Sequence, residues 1–322
     1  MSGSAFDLVV LGAGPAGERG AAQAAYFGKR VAVIEREEEP GGAAVHTGTL
    51  PSKTLRETAL FLSGYRQRDL YGVSVEVSPD LAVSKLLARE QAVRQLETAR
   101  IRRNLERHEV ELIRGTARFL EPGVVEVAQG DDRRTLHGEV VLIACGSYPF
   151  HPPGIPYEDP DVHDSTGILG IDRLPRSLAV LGGGVIGCEF ASMFAALGVE
   201  VHLVDSGTHL LPLLDLEIGE RLRAAMGGLG VTFHMETRAG DVHRSERGMV
   251  TTLSSGEEIV CDKVLVAAGR RGNTAALELD RAGVEVDERG YVVVDADYRS
   301  SAPGIYAAGD IIGFPLLAST SM

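Results

Sequence analysis

Cysteine is scarce in this chain. Three occur among 322 residues, Cys145, Cys188 and Cys261. They are odd in number and widely spaced, which excludes a disulfide framework and offers no paired spacing for structural zinc. Such sparse use fits a reducing compartment. No apolar run approaches the ~20 residues that a membrane-spanning helix needs. The opening residues, Met1-Ser2-Gly3-Ser4-Ala5, lack the basic stretch and apolar segment of a secretory signal. The expected location is therefore cytoplasmic, with no membrane partner. Positive charge is also short: 32 Lys and Arg face 45 Asp and Glu, a formal net charge of −13. That balance argues against nucleic acid as a partner, because its binding depends on neutralising phosphates. It also means that an anionic ligand must be held locally, by backbone N–H groups at helix N-termini. What is present in ordinary amount is apolar material, 44% of the residues, enough for a real core. The length suggests about two domains.

An internal repeat organises the chain. Residues 7–35 read DLVVLGAGPAGERGAAQAAYFGKRVAVIE, and residues 177–205 read SLAVLGGGVIGCEFASMFAALGVEVHLVD, an offset of 170 without a gap. Each copy opens with a short apolar, β-branched run. Each then carries G-x-G-x-x-G: Gly12, Gly14 and Gly17 in the first, Gly182, Gly184 and Gly187 in the second. An Ala-rich helical segment follows and ends at Gly28 or Gly198, residues suited to a C′ position. A second apolar strand closes each copy on an acid, Glu35 or Asp205, 18 residues past the last glycine of the fingerprint. The first glycine allows the strand-to-helix turn, the second lets a pyrophosphate approach the backbone, and the third lets helix and strand pack closely. The carboxylate accepts hydrogen bonds from an adenosine ribose. One such fingerprint is weak evidence, since a Gly-rich turn can imitate it. Two copies in phase imply two dinucleotides, and flavin plus nicotinamide is the usual pair.

Elsewhere, a Gly-rich loop over 36–55 leads into a helix from about Ser52, and 79–108 reads as a long helix whose apolar positions include Leu81, Leu96, Ile101 and Leu105. Residues 110–143 alternate short apolar runs with turn signals, which suggests a small antiparallel sheet. Five of the 14 prolines fall in 149–160 and mark a domain boundary. A second sheet-like stretch covers 231–267, residues 284–310 return as strands, and Leu316–Met322 looks like the start of a helix.

With these motifs in view, the sequence resembles the FAD-dependent pyridine nucleotide-disulfide oxidoreductases of class I over its whole length. Besides the two fingerprints, the resemblance rests on GG-x₈-PSK at 41–53, IACGS at 143–147, AAGRRGN at 267–273 and YAAGDIIG at 306–313. The stretches HTGTLPSKTLRE, RDLYG at 68–72 and GDIIGFPLLASTSM look most similar to the soluble pyridine nucleotide transhydrogenase branch. The resemblance implies an α/β fold of two Rossmann-like, three-layer ββα domains. The FAD domain would be discontinuous: 1–150 its first part, 151–272 the NAD(P) domain, and 273–322 a return to the first. It also implies FAD and NAD(P)H as cofactors. Gly12, Gly14, Gly17 and Glu35 would then hold the ADP half of FAD. Gly42 and Lys53 would lie along the pyrophosphate and isoalloxazine, Gly115 at the adenine, and Gly146 beside the flavin. Asp310 would bond the ribitol, with Leu317 and Ala318 near the flavin edge. Gly182, Gly184, Gly187, Asp205 and Gly269 would hold the nicotinamide dinucleotide. Lys53 and Glu189 would form a catalytic ion pair near the reacting rings; on spacing alone they are a surface lysine at a helix start and a helix residue.

The departures from the family pattern are as informative. Disulfide-reducing members carry C-x₄-C in the Gly-rich loop, where this chain has Ala44 and Thr49. All three cysteines read as small buried residues, and His46 as a satisfied loop histidine. The family's C-terminal interface domain, which dimerises these enzymes, is expected to be missing from this chain, so the oligomeric state stays open. The expected function is hydride transfer between NAD(H) and NADP(H) through flavin, without a redox-active disulfide. The alternatives are an NADH-dependent diaphorase, a dihydrolipoamide dehydrogenase-like flavoprotein, or a non-catalytic FAD-binding fragment.

Overall fold

A computed structural model describes residues 4–64 and 83–322. The RDLYG stretch and the helix start expected at 79–82 fall outside them. The chain divides into two compact units. The first comprises Met1–Thr49, Val93–Tyr148 and Arg270–Met322, and the second Leu50–Ala92 and Pro149–Gly269. The sequence reading runs its first FAD segment through 1–150, whereas here Leu50–Ala92 groups with the second unit.

In the first unit, parallel strands Glu111–Arg114, Val31–Glu35, Ser4–Leu11 and Asp132–Ile143 lie side by side in that order. The pairing of Leu8 with both Val31 and Val140 sets the register. The 12-residue strand Asp132–Ile143 has a divided outer edge. Its first half pairs antiparallel with Val124–Gln129, which in turn pairs with Thr116–Glu121. Its last three residues pair in parallel with Ile305–Ala307. The expected antiparallel sheet over 110–143 therefore exists only in part, because 111–114 joins the parallel ladder instead.

The apolar runs are continuous because both faces of the central strands are covered. Val9, Leu11, Ala32 and Ile34 pack with Phe119, Val125, Val127 and Leu136 from the antiparallel strands. Val10, on the opposite face, lies under the helix Pro15–Tyr26 at Gly17. Each of the buried Val, Leu, Ile and Phe side chains among these contributes about 1.5–3 kcal/mol. The helix starts on a proline at its first position and ends at Gly28, whose φ of +75° is the left-handed stop expected there.

The second unit repeats the layering. Its sheet is wholly parallel, in the order Val231–His234, Glu200–Val204, Ser177–Leu181, Lys263–Val266, Val162–Asp164. The alternation of Ser177–Leu181 splits the core. Leu178 and Val180 meet Phe190, Phe194 and Met226 from the helices Val185–Ala196 and Leu216–Gly228. Ala179 and Leu181 meet Met249, Ile259 and Cys261 from a three-stranded antiparallel sheet. Leu55 and Ala59, on the helix Thr49–Leu62, are buried in the first of these clusters. Both units are thus Rossmann-like ββα sandwiches, and the first is discontinuous.

Three expectations need correction. Leu96 is not part of a buried stripe: on the helix Val83–Arg107 it is 71% exposed, while Ile101 and Leu105 are buried. Residues 284–310 are mostly turns and isolated bridges, with one three-residue strand. The cause is local, since the Asp287 and Asp295 carboxylates each capture two following backbone N–H groups that a ladder would have used. Residues 316–322 form a turn rather than a helix, with Leu316 at a φ of +56°. Among the described residues, no helix is long and apolar enough to cross a membrane.

A buried ion pair secures the second unit. Lys263, 2% exposed, donates from Nζ to Asp161 Oδ1 at 2.6 Å. Arg244 donates to Asp161 Oδ2 at 2.8 Å and also holds Asp159. Burial pushes the Asp161 carboxyl up, but the bonds from Lys263 and Arg244 outweigh it and hold it at about 2. A depressed carboxylate pKa stabilises the fold above its unfolded value of ~3.9, and that contribution is lost as pH falls toward 2. Asp161→Asn removes the nearest counter-charge of buried Lys263, leaving it only exposed Asp172 at 3.7 Å, and should cost about 3–5 kcal/mol at neutral pH. It should also flatten the loss of stability between pH 4 and 2. Acid titrations of unfolding free energy for both proteins test this; parallel profiles would exclude the assignment.

Candidate functional site

The two fingerprints, in separate units, form nearly superimposable cradles. Gly12 and Gly182 take φ values of +106° and +121°. A Cβ at Gly12 would lie 2.5 Å from the Ala144 carbonyl oxygen, and one at Gly182 would lie 2.4 Å from that of Ala267. Ala144 N–H donates to the Leu11 carbonyl at 2.8 Å, and Ala267 N–H to the Leu181 carbonyl at 2.8 Å. At the third glycine, a Cβ on Gly17 or Gly187 would stand 1.8 Å from the carbonyl oxygen of the first. The middle glycine is different in kind. Gly14 and Gly184 cap their helices in extended conformation, at φ −73° and −75°. Nothing lies within 4 Å of a Cβ built at Gly184, and only the Gly42 Cα, at 3.9 Å, meets one at Gly14. Space is left open at the point where the helix N-terminus presents its unpaired N–H groups.

The acids are pre-set by backbone. Glu35 accepts from Ala13 N–H at 2.9 Å on Oε2 and from Glu37 N–H at 3.0 Å on Oε1. Asp205 accepts from Gly183 N–H at 2.5 Å on Oδ2 and from Gly207 N–H at 2.7 Å on Oδ1. Each oxygen keeps a lone pair for a ribose hydroxyl while the carboxylate cannot rotate. Open glycine backbone beside a helix N-terminus, with a fixed acid one strand away, fits the ADP portion of a dinucleotide in both units.

Other expected residues gather around the first cradle. Gly41 and Gly42, at φ +130° and +57°, lead into the short helix Gly42–His46. Gly41 N–H donates to the Ala13 carbonyl at 2.9 Å, and a Cβ on Gly42 would lie 2.9 Å from Gly14 Cα. Gly115 donates to the Glu35 carbonyl at 2.8 Å, and a Cβ there would meet Val127 at 2.6 Å. Gly309 packs on Ala16 at the start of the fingerprint helix, so Asp310 belongs to the same neighbourhood. Leu317 is 51% exposed and Ala318 is partly buried; both lie in the terminal turn. In the second unit, Gly269 follows the strand Lys263–Val266 at φ +100° with open space at its Cα. Lys53 Nζ donates to Glu189 Oε1 at 2.5 Å; the lysine side chain is 60% exposed and the glutamate 17%.

The sequence reading missed Ser147 and Arg270. Arg270 Nε donates to Ser147 Oγ at 2.8 Å, and Ser147 Oγ to Asp310 Oδ2 at 3.0 Å. Their positions in IACGS and AAGRRGN were the available signal. Gly146, at φ +67°, is held by Asn273 N–H on its carbonyl at 3.0 Å.

The thiols are quiet. Burial pushes Cys145 up to about 12, Cys188 to about 11 and Cys261 to about 12. Cys188 and Cys261 are buried as expected, but Cys145 is only half-buried. It sits past the end of its strand, donating to the Leu11 carbonyl at 3.3 Å. His46 donates from Nε2 to the Pro40 carbonyl at 3.0 Å, a satisfied loop histidine.

Two Rossmann-like cradles in one chain define a flavoprotein that works with a nicotinamide dinucleotide. The family model "Pyridine nucleotide-disulphide oxidoreductase" matches residues 6–322. A soluble pyridine nucleotide transhydrogenase of Mycobacterium tuberculosis is 44% identical over 98% of this chain and 68% of its own length. The corresponding protein of Pseudomonas putida is 38% identical over the same shares. The solved HOCl-induced flavoprotein disulfide reductase RclA of Escherichia coli superimposes with a TM-score of 0.88 at 29% identity, covering 100% of this chain and 69% of that one. LpdA of Mycobacterium tuberculosis gives the same TM-score and identity. The chain belongs to the pyridine nucleotide-disulphide oxidoreductase family. It is an FAD-dependent NAD(P) oxidoreductase.

The glycines separate fold from ligand binding. Gly187→Ala places a methyl inside the van der Waals shell of the Gly182 carbonyl and should destabilise the second unit by about 1–3 kcal/mol or more. Gly184→Ala meets nothing, so it should change stability by under ~1 kcal/mol yet weaken NADH binding. Thermal melts and NADH titration of the two variants test this separation; equal melting losses would refute it.

Proposed function

We propose that the enzyme transfers hydride between nicotinamide nucleotides, NAD(H) and NADP(H), through flavin and without a redox-active disulfide. The observation that carries this reading is the composition of the loop after the first cradle. Ala44 and Thr49 occupy the positions at which disulfide-reducing members have paired thiols, and neither can form a thiolate. The three cysteines that exist have thiol pKa values raised to about 11–12, which keeps them protonated at neutral pH and unfit as nucleophiles. The names of the transhydrogenase relatives support the same reading.

Bound flavin supplies the chemistry, accepting and returning a hydride equivalent. The chain's part is position and charge. Gly12, Gly14, Gly17, Glu35, Gly42, Gly115, Gly146 and Asp310 are assigned to FAD, with Leu317 and Ala318 at its edge. Gly182, Gly184, Gly187, Asp205 and Gly269 are assigned to the nicotinamide dinucleotide. Lys53, steadied by Glu189, is assigned as the cation that favours the reduced, anionic flavin. A cytoplasmic location suits an enzyme of this kind with three free cysteines.

Asp205 also argues for NADH as the better reductant. A 2′-phosphate would meet a carboxylate locked in place by two backbone N–H groups. The following residues, Ser206, Gly207, Thr208 and His209, include no Lys or Arg, and the Arg270 guanidinium is engaged by Ser147.

NADH should reduce the enzyme more efficiently than NADPH, by roughly 5- to 150-fold for an uncompensated like-charge contact of about 1–3 kcal/mol. Stopped-flow reduction with each coenzyme measures the ratio, and parity would remove the argument from Asp205. With a nicotinamide analogue as acceptor, turnover should exceed that with lipoamide, glutathione disulfide or a quinone. Two-electron reduction should give no long-wavelength thiolate-to-flavin absorbance. Lipoamide turnover, or that band, would overturn the disulfide-free reading; faster turnover with quinone would favour a diaphorase. Lys53→Met should slow nicotinamide-to-nicotinamide turnover by roughly 10- to 100-fold while leaving FAD bound.

A further inference from the structure

We propose that Ser147 is a positioning residue for Asp310: its hydroxyl relays the charge of Arg270 and fixes the orientation in which the carboxylate meets the ligand. The proposal rests on the reading of Asp310 as an FAD-binding acid and names the residues of the first unit that make it one.

The strand Asp132–Ile143 and the strand Ile305–Ala307 run parallel, with Ala307 paired to Ile143. Ser147 and Asp310 lie just past their carboxyl ends, where α/β sheets place ligands. Ser147 is 6% exposed, so water competes little for its hydroxyl. That hydroxyl has one proton and two lone pairs, while a guanidinium only donates and an ionised carboxylate only accepts. Arg270 Nε, 2.8 Å from Oγ, must therefore donate to the serine. Asp310 Oδ2, 3.0 Å away, must accept from it. Both neighbours impose the same direction on the one hydroxyl proton, and the reverse arrangement has no proton to use.

Arg270 is itself fixed. Its Nη2 donates to the Ser147 carbonyl at 2.7 Å, and Tyr291 Oη donates to the Arg270 carbonyl at 2.8 Å. Asn273 ties down the residues just before Ser147, donating from Nδ2 to the Cys145 carbonyl and from its backbone N–H to the Gly146 carbonyl, each at 3.0 Å. The result is a rigid Arg–Ser–Asp row in which Oδ2 already accepts one hydrogen bond. The carboxylate is thereby held in one orientation, and Oδ1, with both lone pairs, is the better acceptor for a ligand hydroxyl. A carboxylate held this way needs no reorientation on binding, so its hydrogen bond to the ligand carries less entropic cost.

Three variants of the purified protein, each stripped of flavin and retitrated with FAD, test the proposal. Ser147→Ala should raise the FAD Kd by roughly 10- to 100-fold, the range for a lost charge-assisted hydrogen bond. The melting temperature of the flavin-free form should stay near that of the parent. Ser147→Thr keeps the hydroxyl and should restore binding to within about threefold of the parent, well under one lost hydrogen bond. Asp310→Asn controls the underlying reading and should itself weaken FAD. If Asp310→Asn binds FAD as the parent does, the assignment of Asp310 to the ligand is wrong. If it binds weakly while Ser147→Ala binds normally, that assignment stands and the relay is wrong. If Ser147→Ala lowers the flavin-free melting temperature as much as the flavin-bound one, or Thr binds no better than Ala with that temperature intact, Ser147 is only a staple and the proposal fails.

Discussion

Both cradles depend on one steric constraint, the absence of a side chain at Gly17 and Gly187. In both units the helix passes so close to the preceding strand that a Cβ would stand 1.8 Å from a carbonyl oxygen. That proximity aims the helix N-terminus at the carboxyl edge of the sheet and brings the acid at the end of the next strand within reach of the turn. The Glu35 and Asp205 contacts to the turn N–H groups are consequences of it. So is the open space at Gly14 and Gly184.

The constraint also explains how an acidic protein holds acidic ligands. With a net charge of −13, long-range attraction is unavailable. The cradles use partial charges on backbone N–H groups, effective only over a few ångströms. Such a site selects by contact. Affinity is concentrated where shape already fits.

How much of this was legible in the sequence varied with the range of the cause. The cradles were fully legible, since turn, close approach and acid are encoded within about thirty consecutive residues, twice over. The layering of both units came with the family resemblance rather than from the strands alone. The Lys53–Glu189 contact joins residues 136 apart and came from motif context rather than from spacing. What escaped has mixed causes. Residues 284–310 have strand-like composition, but Asp287 and Asp295 spend the backbone N–H groups on local turns. Leu96 occupies an apolar position in the helical pattern and is nonetheless 71% exposed. Ser147 and Arg270 were invisible because each is ordinary in its own motif, and only the sheet brings them to Asp310.

The divided edge of the strand Asp132–Ile143 has a consequence for biogenesis. The second unit is essentially complete once Gly269 is made, and its central sheet is drawn from residues 162–266. The first unit cannot close then, because the partner of Val141, Leu142 and Ile143 is the strand Ile305–Ala307. As the ribosome adds the intervening residues, three strand positions, two of them buried in the finished fold, present an unpaired edge, the kind of template that invites wrong partners. The later domain in sequence thus matures before the earlier one. The first cradle gains its neighbour Asp310 only once Ile305–Ala307 has been made.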